Sequence, residues 1–399
     1  FNRIVKEAKA NPRDNYLVIV PEQFTMQTQR QLVDLSENKA IMNIDVLSFK
    51  RLAYRVFDEL GITNLTVLEE TGKNLVLRKL AAQEADKLGV IGRNLNRIGY
   101  ISEVKSLLSE LVQYNISPEE LGRYIASGRL SDTLSDKLKD VLVLYEAFEK
   151  FMQDKYITAE EILNVLSNVA EESAILRNSV IAFDEFTGFT PIQNQLIKKL
   201  FVISKKIYVT LTIDCREDIF KSRGMQELFD MPKRTVKSLT EMAAFYGIEV
   251  EEPIILDKNY RLAENEELSF MEQQLFRKRR CSFKKVPKHI HIDCLRDPKQ
   301  ELTKIARRIN ELVRNENLRY RDIAIVTGDV NIYAGYVREI FDKYNIPYFI
   351  DATQEILFHP FIEFIRSIPD IAAQNFSADA VFRFLRCGFS ELLDSEIDV

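Results

Sequence analysis

Two acidic residues directly follow an apolar run and could take part in metal chemistry. Asp184 and Glu185 come after residues 179–183, which have the pattern of a buried strand in a parallel sheet. In nucleotide hydrolases a carboxylate at such a strand end holds Mg²⁺ and a neighbouring group orients water. Asp184 is therefore a candidate magnesium ligand and Glu185 a candidate base. The alternative is a structural cap on the next helix, for which Asp is favoured.

A second set of residues has the chemistry of a nucleic-acid contact. Gln23 and Thr25 follow the apolar run 16–20 and could donate hydrogen bonds to a base or to the backbone. Phe49, Arg51 and Tyr54 place aromatic rings and a cation about one helical turn apart, which suits base stacking combined with contact to phosphate or guanine. Rings that pack inward would produce the same spacing.

Three other patterns could bind ligands, each with a simple structural alternative. Arg261, in a polar segment, could reach a nucleotide phosphate or could be a solvated surface residue. His289 and His291 could bind a metal with Asp293 or Cys294, but the exposed face of a strand is the favoured interpretation. The four cysteines are scattered without a C-x-x-C pair, which favours reduced thiols in a cytoplasmic protein.

The elements that must position these residues alternate between strand and helix. In an α/β sheet, residues at the carboxyl ends of parallel strands meet at one edge, where ligands bind. Residues 66–178 break the alternation and are predicted to be helical throughout. The strands are predicted at residues 16–20, 41–46, 179–183, 206–214 and 248–250, and in a second α/β unit at residues 289–294, 322–327 and 347–350.

Size and charge set limits on function. The chain has 399 residues and a net charge of −5, so contact with nucleic acid must come from local patches. No apolar run reaches membrane-spanning length. The chain opens within an amphipathic helix at Phe1 and is expected to be part of a longer protein. It contains no G-x-x-x-x-G-K-[ST] phosphate loop.

Several tracts, in a consistent order and spacing, resemble those of one family. The segment 322–365 resembles the start of the second motor domain of UvrD-like superfamily 1 helicases, and Asn259-Tyr-Arg261 resembles their motif IV. The tracts 20–25, 47–54 and 183–191 are more specific: they resemble the B subunit of AddAB (RexAB)-type helicase–nucleases. That family often has Gly where this chain has Glu185, and Gly328 stands where UvrD-like enzymes carry Arg.

The resemblance implies a fold, cofactors and partners. It implies a RecA-like (P-loop NTPase-type) parallel sheet domain with an all-helical insertion, plus part of a second RecA-like domain. In the full-length subunit it implies ATP and Mg²⁺, with Asp184 and Glu185 as Walker-B-like residues and Arg261 at the ATP phosphates. An iron–sulfur cluster is expected only in a C-terminal region beyond this chain. The implied partners are an AddA/RexA-type subunit and single-stranded and duplex DNA ends, without a membrane.

The resemblance also implies a role in processing double-strand breaks and in recognising the recombination hotspot, Chi, on single-stranded DNA. The implied pocket comprises Gln23, Thr25, Phe49, Arg51, Tyr54 and Phe186. The predicted domains are residues 1–65 with 179–276 (first sheet domain), 66–178 (helical insertion), 277–288 (basic linker) and 289–399 (second domain).

Two other functions remain open at the level of sequence. One is a fragment of an autonomous UvrD-like helicase, and the other is a helical scaffold that binds only protein. Because nothing in the chain cradles nucleotide phosphates, residues 1–399 alone are expected to show neither ATPase nor nuclease activity.

Overall fold

The structure is a computed structural model, and it describes residues 1–63, 66–92, 99–128, 130–153, 156–277, 281–351 and 356–389. The chain divides into two compact units, residues 1–261 and 262–399. Parts of the predicted domains lie outside the described residues, namely 64–65, 93–98, 129, 154–155, 278–280, 352–355 and 390–399. The predicted division into two sheet domains, a helical insertion and a linker stays a prediction.

A four-stranded parallel sheet forms the centre of the first unit. Its strands are β1 (Tyr16–Ile19), β2 (Ile44–Leu47), β5 (Val180–Phe183) and β6 (Lys206–Val209), in the order β2-β1-β5-β6. The strands β3 and β4 belong to a separate pair described below. All four residues of β1 and of β5 are buried, as expected of central parallel strands. This confirms the predicted α/β class for the first unit.

Helices cover both faces of this sheet. On one face Tyr16 and Val18 pack with α1 (Asn2–Ala10) and α2 (Thr25–Leu35). On the other face Leu17 and Ile19 pack with helices that include α3 (Phe49–Leu60), α8 (Ile162–Val169) and α9 (Pro191–Ile203). The alternation of the β1 side chains between two apolar layers fixes the register, because a shift of one residue would exchange the layers. A further helix, α10 (Asp230–Phe245), contributes Leu239 to the second layer.

Local signals explain why α3 lies where it does. Ser48 caps its amino end by accepting a hydrogen bond from the backbone of Arg51. Leu52, Ala53 and Val56 recur at helical spacing and are buried. The helix ends at Gly61, whose φ of 68° is the left-handed conformation that glycine adopts without a steric penalty. The sequence prediction of a helix at 48–60 is confirmed.

A helical cluster occupies much of residues 66–153. It consists of α4 (Glu70–Gln83), α5 (Tyr100–Gln113), α6 (Pro118–Ala126) and α7 (Asp132–Met152), which share one apolar core. The prediction of helices alone for 66–178 needs correction, because β3 (Val67–Leu68) pairs in parallel with β4 (Ile157–Thr158). Each of these strands has only two residues, which is too short to leave a periodic pattern in the sequence.

The second unit is helical in its described residues, where no strand forms. Its helices are α11 (Glu266–Gln274), α12 (Pro298–Asn315), α13 (Val330–Lys343), α14 (Pro360–Ala373) and α15 (Ala378–Leu385), and α12 and α13 share an apolar core. The predicted strands at 289–294, 322–327 and 347–350 are not confirmed, nor is the predicted strand at 248–250 in the first unit. Ile292 and Val326 are 94% and 93% exposed, so these apolar residues have no sheet face to cover. None of the described helices is long and apolar enough to cross a membrane.

Candidate functional site

The predicted site residues of the sheet follow the carboxyl ends of its strands. The hydrogen-bond ladder continues one residue past the strands, since Val20 donates to Leu47 at 3.0 Å and Asp184 donates to Ile19 at 3.0 Å. Thr210 likewise donates to Phe183 at 3.0 Å. The loops after β1, β2, β5 and β6 therefore begin at one edge of the sheet, where ligands of open α/β sheets bind.

A cavity of about 730 Å³ opens at this edge between the loops after β1, β2 and β5. Its lining includes four of the predicted residues: Phe49, Arg51, Tyr54 and Phe186. These residues come from segments more than 130 positions apart in the chain, and the parallel sheet brings them together. Four of the six residues of the implied pocket thus line one cavity at this edge of the sheet. Gln23, Thr25, Asp184, Glu185 and Arg261 are not part of the lining.

Phe49 is part of the apolar core as well as of the cavity wall. It is 7% exposed, and its ring centroid lies 5.8 Å from that of Phe183 and 5.5 Å from that of Phe186. Phe189 completes the group at 6.5 Å from Phe49. Phe186 keeps partial exposure and lies 5.2 Å from Phe189. Phe49 therefore supports the wall, while Phe186 offers a face that a ligand can reach.

Arg51 is held by a network that the sequence did not predict. Its Nε lies 3.2 Å from Glu22 Oε1, and the hydroxyl of the buried Ser48 donates to the other carboxylate oxygen of Glu22. Ser48 Oγ also accepts from the backbone N–H of Arg51 at 3.3 Å. Glu22 and Ser48 line the same cavity. The signal available in the sequence was a carboxylate placed directly after Pro21, at the end of the apolar run of β1.

Two further cavity residues supply a ring and an amide. Tyr54 is 39% exposed, lies one helical turn from Arg51, and meets Phe57 edge to face at 6.3 Å. Gln193 was not predicted. It belongs to the capping box of α9, where its Oε1 accepts from the backbone of Thr190 at 2.9 Å. The spacing Thr190-Pro-Ile-Gln193 is a capping-box signature that could have located this amide near the edge of the sheet.

Gln23 and Thr25 lie beside the cavity rather than in its lining. Gln23 is exposed in a short 3₁₀ turn formed by residues 22–24. Thr25 is buried, and its hydroxyl donates to the carbonyl of Glu22 at 3.0 Å. The Thr25 hydroxyl thereby shapes the turn that carries Glu22, and the DNA-binding role predicted for both residues stays a prediction.

The acidic pair lies at the same edge of the sheet. The hydroxyl of Thr210 donates to Asp184 Oδ1, and Glu185 is exposed with a φ of 64°. Arg261 is exposed in a turn that includes residues 260–264. One carboxylate and one hydroxyl can serve Mg²⁺ only together with phosphate oxygens and water. Because the chain has no phosphate loop, these residues alone do not fit a complete nucleotide site, and ATP and Mg²⁺ stay expectations for the full-length protein.

The other metal sites considered in the sequence are not supported by the arrangement of the described side chains. Among the described residues, no group of three or more His, Cys, Asp or Glu side chains could hold a metal ion. Asp293, one of the proposed partners of His289 and His291, pairs with Lys304. Cys294, the other, is exposed and free, as are Cys215 and Cys281.

Comparisons with known proteins show the family to which the chain belongs. Residues 1–272 match the family described as "ADDB, N-terminal". A protein of Lachnoclostridium phytofermentans, named as the B subunit of an ATP-dependent helicase/deoxyribonuclease, is 37% identical over 404 residues, which cover 100% of this chain and 35% of that protein. The proteins of the same name from Clostridium tetani and Clostridium acetobutylicum are 32% and 34% identical over 100% and 96% of this chain. This chain thus spans about a third of the length of these relatives. Since the family match covers more than half of the chain, the chain belongs to the AddB N-terminal family.

Proposed function

We propose that this chain is the region that reads single-stranded DNA in the B subunit of an ATP-dependent helicase/deoxyribonuclease. In this proposal it takes part in processing double-strand breaks for recombinational repair and recognises the hotspot sequence Chi. The observation that carries the proposal is the cavity at the sheet edge. It combines the cations of Lys50 and Arg51 with the exposed ring of Tyr54, the partly exposed ring of Phe186 and the amide of Gln193.

The chemistry of the cavity suits unpaired bases better than duplex backbone. Aromatic faces stack on bases of single strands, and stacking contributes about 1–3 kcal/mol per base. Arginine and amide side chains can read base edges through paired hydrogen bonds. The chain as a whole is acidic, with a net charge of −5, so it lacks the broad positive field that attracts phosphate backbones without regard to sequence.

The wider proposal extends to parts of the protein beyond this chain. The first unit would be a RecA-like domain whose phosphate loop precedes Phe1, and Asp184 would then bind Mg²⁺ beside ATP. An AddA/RexA-type subunit would be the partner, as the word "subunit" in the names of the relatives suggests. Any iron–sulfur cluster would belong to the region after residue 399. These elements rest on family membership and on the strand-end position of Asp184.

The test compares two arginines of the same helix in the full-length protein. Arg51→Ala should lower the affinity for labelled single-stranded DNA by roughly 1–3 kcal/mol, or about fivefold to more than a hundredfold. Arg55→Ala is the control. Arg55 is as exposed as Arg51 and forms an ion pair with Asp45 at 3.4 Å, but it does not line the cavity. Fluorescence anisotropy gives the affinities, and sequencing of strands selected from a random library gives the preference.

The outcomes separate the proposal from its alternatives. In the complex reconstituted with its partner subunit, Arg51→Ala should weaken the response to the hotspot and leave unwinding nearly intact. A variant that unwinds poorly but still responds to the hotspot would give Arg51 a motor or structural role instead. If wild type, Arg51→Ala and Arg55→Ala all fail to bind single strands at any salt concentration, the protein-binding scaffold is the correct function.

A further inference from the structure

We infer that Glu22 determines the specificity of this cavity. Its carboxylate orients Arg51 to hydrogen-bond with base edges and disfavours contact between Arg51 and phosphates. The inference rests on the proposed function and adds the residue that sets the kind of contact Arg51 makes. The Glu22 carboxylate is the one acidic group among the described residues of the lining. It lies 3.2 Å from the Arg51 guanidinium.

Ser48 forms hydrogen bonds with both members of the Glu22–Arg51 pair. Ser48 donates its hydroxyl to Glu22 and accepts the backbone N–H of Arg51, and it is itself buried as the amino-terminal cap of α3. The pair therefore joins the loop after β1 to the first turn of α3. The Arg55–Asp45 pair one turn later is longer, at 3.4 Å, and neither of its residues lines the cavity.

The geometry of the pair leaves donors of Arg51 available. A guanidinium has five N–H donors, and the contact to Glu22 is made through Nε. The Nη groups can therefore still reach a ligand that presents two acceptor atoms on one edge, as bases do. An arginine fixed in this way loses less conformational freedom on binding than a free side chain.

The charge of Glu22 affects phosphates and bases differently. A phosphate near Arg51 would also meet the negative carboxylate, and like charges placed together disfavour binding. A base edge is neutral, so the carboxylate does not repel it. Glu22 thereby weakens the attraction of Arg51 for phosphates while keeping its directed hydrogen bonds, and Lys50 remains as the second cation of the lining. The expected ligand is an exposed base of a single strand with paired acceptors.

The experiment uses Glu22→Gln in the full-length protein, with Glu37→Gln as the matched control. Gln keeps the length of Glu, and its amide oxygen can still accept from Ser48, so the loop retains its shape. Glu37 is an exposed carboxylate paired with Lys9 and does not line the cavity. Equal thermal unfolding midpoints for the two variants will confirm that folding is unaffected.

The probe is a labelled random single strand of about 16 nucleotides, titrated at several salt concentrations. Glu22→Gln should bind more tightly than wild type at low salt. Because Arg51 then gains a phosphate contact, the slope of log affinity against log salt should become steeper by about 0.7. Selection from a random library should show weaker enrichment of the preferred sequences. In the Arg51→Ala background, Glu22→Gln should no longer steepen the slope.

Each contrary result has a distinct meaning. If Arg51→Ala lowers affinity but Glu22→Gln keeps the wild-type slope and enrichment, the inference about Glu22 is wrong and the proposed function stands. If Glu22→Gln lowers affinity as Arg51→Ala does, with an unchanged slope, Glu22 has only a structural role and the inference is also wrong. If wild type and Arg51→Ala bind equally well, both the proposed function and the inference fail.

Discussion

At the scale of single residues, burial decides how the aromatic residues of the cavity can act. Phe49 is packed against Phe183 and Phe186, so no face of its ring is free for a base. Tyr54 and Phe186 retain exposed surface and are the rings on which a base can stack. Of the two interpretations that the sequence left open for this helix, inward packing describes Phe49, whereas Tyr54 exposes its ring to solvent.

Glu185 adopts a backbone conformation that costs free energy. Its φ of 64° lies in the left-handed region, which is unfavourable for a residue with a Cβ by about 1–2 kcal/mol. Glu185→Gly should therefore stabilise the protein by about 0.5–1 kcal/mol, because glycine removes the strain but has a more flexible unfolded state. Urea unfolding of the full-length protein measures the change.

The control for this prediction is Glu252→Gly. Glu252 is exposed, lies in no helix or strand, and does not have a positive φ. Its replacement should leave stability unchanged or slightly lower. A Glu185→Gly variant less stable than the Glu252→Gly variant would show that the Glu185 side chain makes stabilising contacts that outweigh the strain.

The residues of the site were predictable only where local pattern and chemistry coincide. Arg51 and Tyr54 could be found because a cation and a ring one helical turn apart form a visible pattern. Glu22 could not be assigned its role, because its partner Ser48 is 26 positions away and the pair depends on how two parallel strands align. Gln193 carries a recognisable capping signature, but its place in the cavity depends on the position of β5 beside β1.

At the scale of elements, the sequence predicts strands well only where helices cover both faces of the sheet. The runs that became β1 and β5 are buried along their whole length, and their predicted bounds agree with the structure to within one residue. The runs 289–294 and 322–327 are also rich in apolar residues but form no ladder in the described residues. A run of apolar residues reports local composition, whereas a strand also needs a neighbour with which to exchange hydrogen bonds.

The helical cluster contains a buried ion pair that joins α4 to the segment after β4. Lys73 is 3% exposed in its side chain, and its Nζ lies 2.7 Å from Glu160 and 2.9 Å from Glu70. Lys73→Met should destabilise this part of the protein by roughly 3–5 kcal/mol, because the Glu160 side chain, which is only 11% exposed, would be left without its cation. Hydrogen exchange of the α4 amides measures the change locally.

The destabilisation should depend on pH in a defined direction. Burial opposes ionisation of Glu160, yet the hydrogen bonds from Lys73 hold the pKa of its carboxyl below the usual value. The pair therefore stabilises the wild type fully above the unfolded carboxyl pKa of about 4.3, and this contribution is lost as the pH falls through the lowered pKa. The gap between wild type and Lys73→Met should thus be widest near neutral pH and narrow in acid.

The control for the ion pair is Lys87→Met. Lys87 pairs with Glu84 at 2.6 Å but is exposed, so its loss should have little effect on stability at any pH. If Lys73→Met behaves like Lys87→Met, or if its effect does not shrink in acid, the ionised Lys73–Glu160 pair is not what stabilises the cluster.

At the scale of the whole molecule, the structure and the sequence divide the chain at different places. The sequence predicts a basic linker at 277–288, and the structure separates its two compact units after Arg261. Part of the predicted linker is attached to α11: Phe283 lies 5.3 Å from Phe270, and Glu267 accepts from the backbone of Lys288 at 2.7 Å. A cluster of basic residues cannot reveal such contacts in the sequence, because Lys and Arg are common both in linkers and on folded surfaces.

Limited proteolysis with trypsin can decide between these two boundaries in the full-length protein. Residues 248–259 form no helix or strand, and Leu256 within them is 89% exposed. Protease cleavage occurs first in exposed segments that open without unfolding a core. Within residues 1–399, the first cut should therefore follow Lys258 or Arg261, and the double variant Lys258→Gln/Arg261→Gln should delay it. Mass spectrometry of the early fragments identifies the site.

The loop at 214–229 is the internal control, because it also exposes Arg216 and Arg223 without regular structure. The buried Lys233 of α10 ties this loop down through Glu217 at 2.6 Å and Glu227 at 3.2 Å, so its sites should be cut later. A first cut after Lys284, Lys285 or Lys288 would instead support the linker that the sequence predicts. A first cut at Arg216 or Arg223 would mean that the Lys233 contacts do not hold the loop in solution.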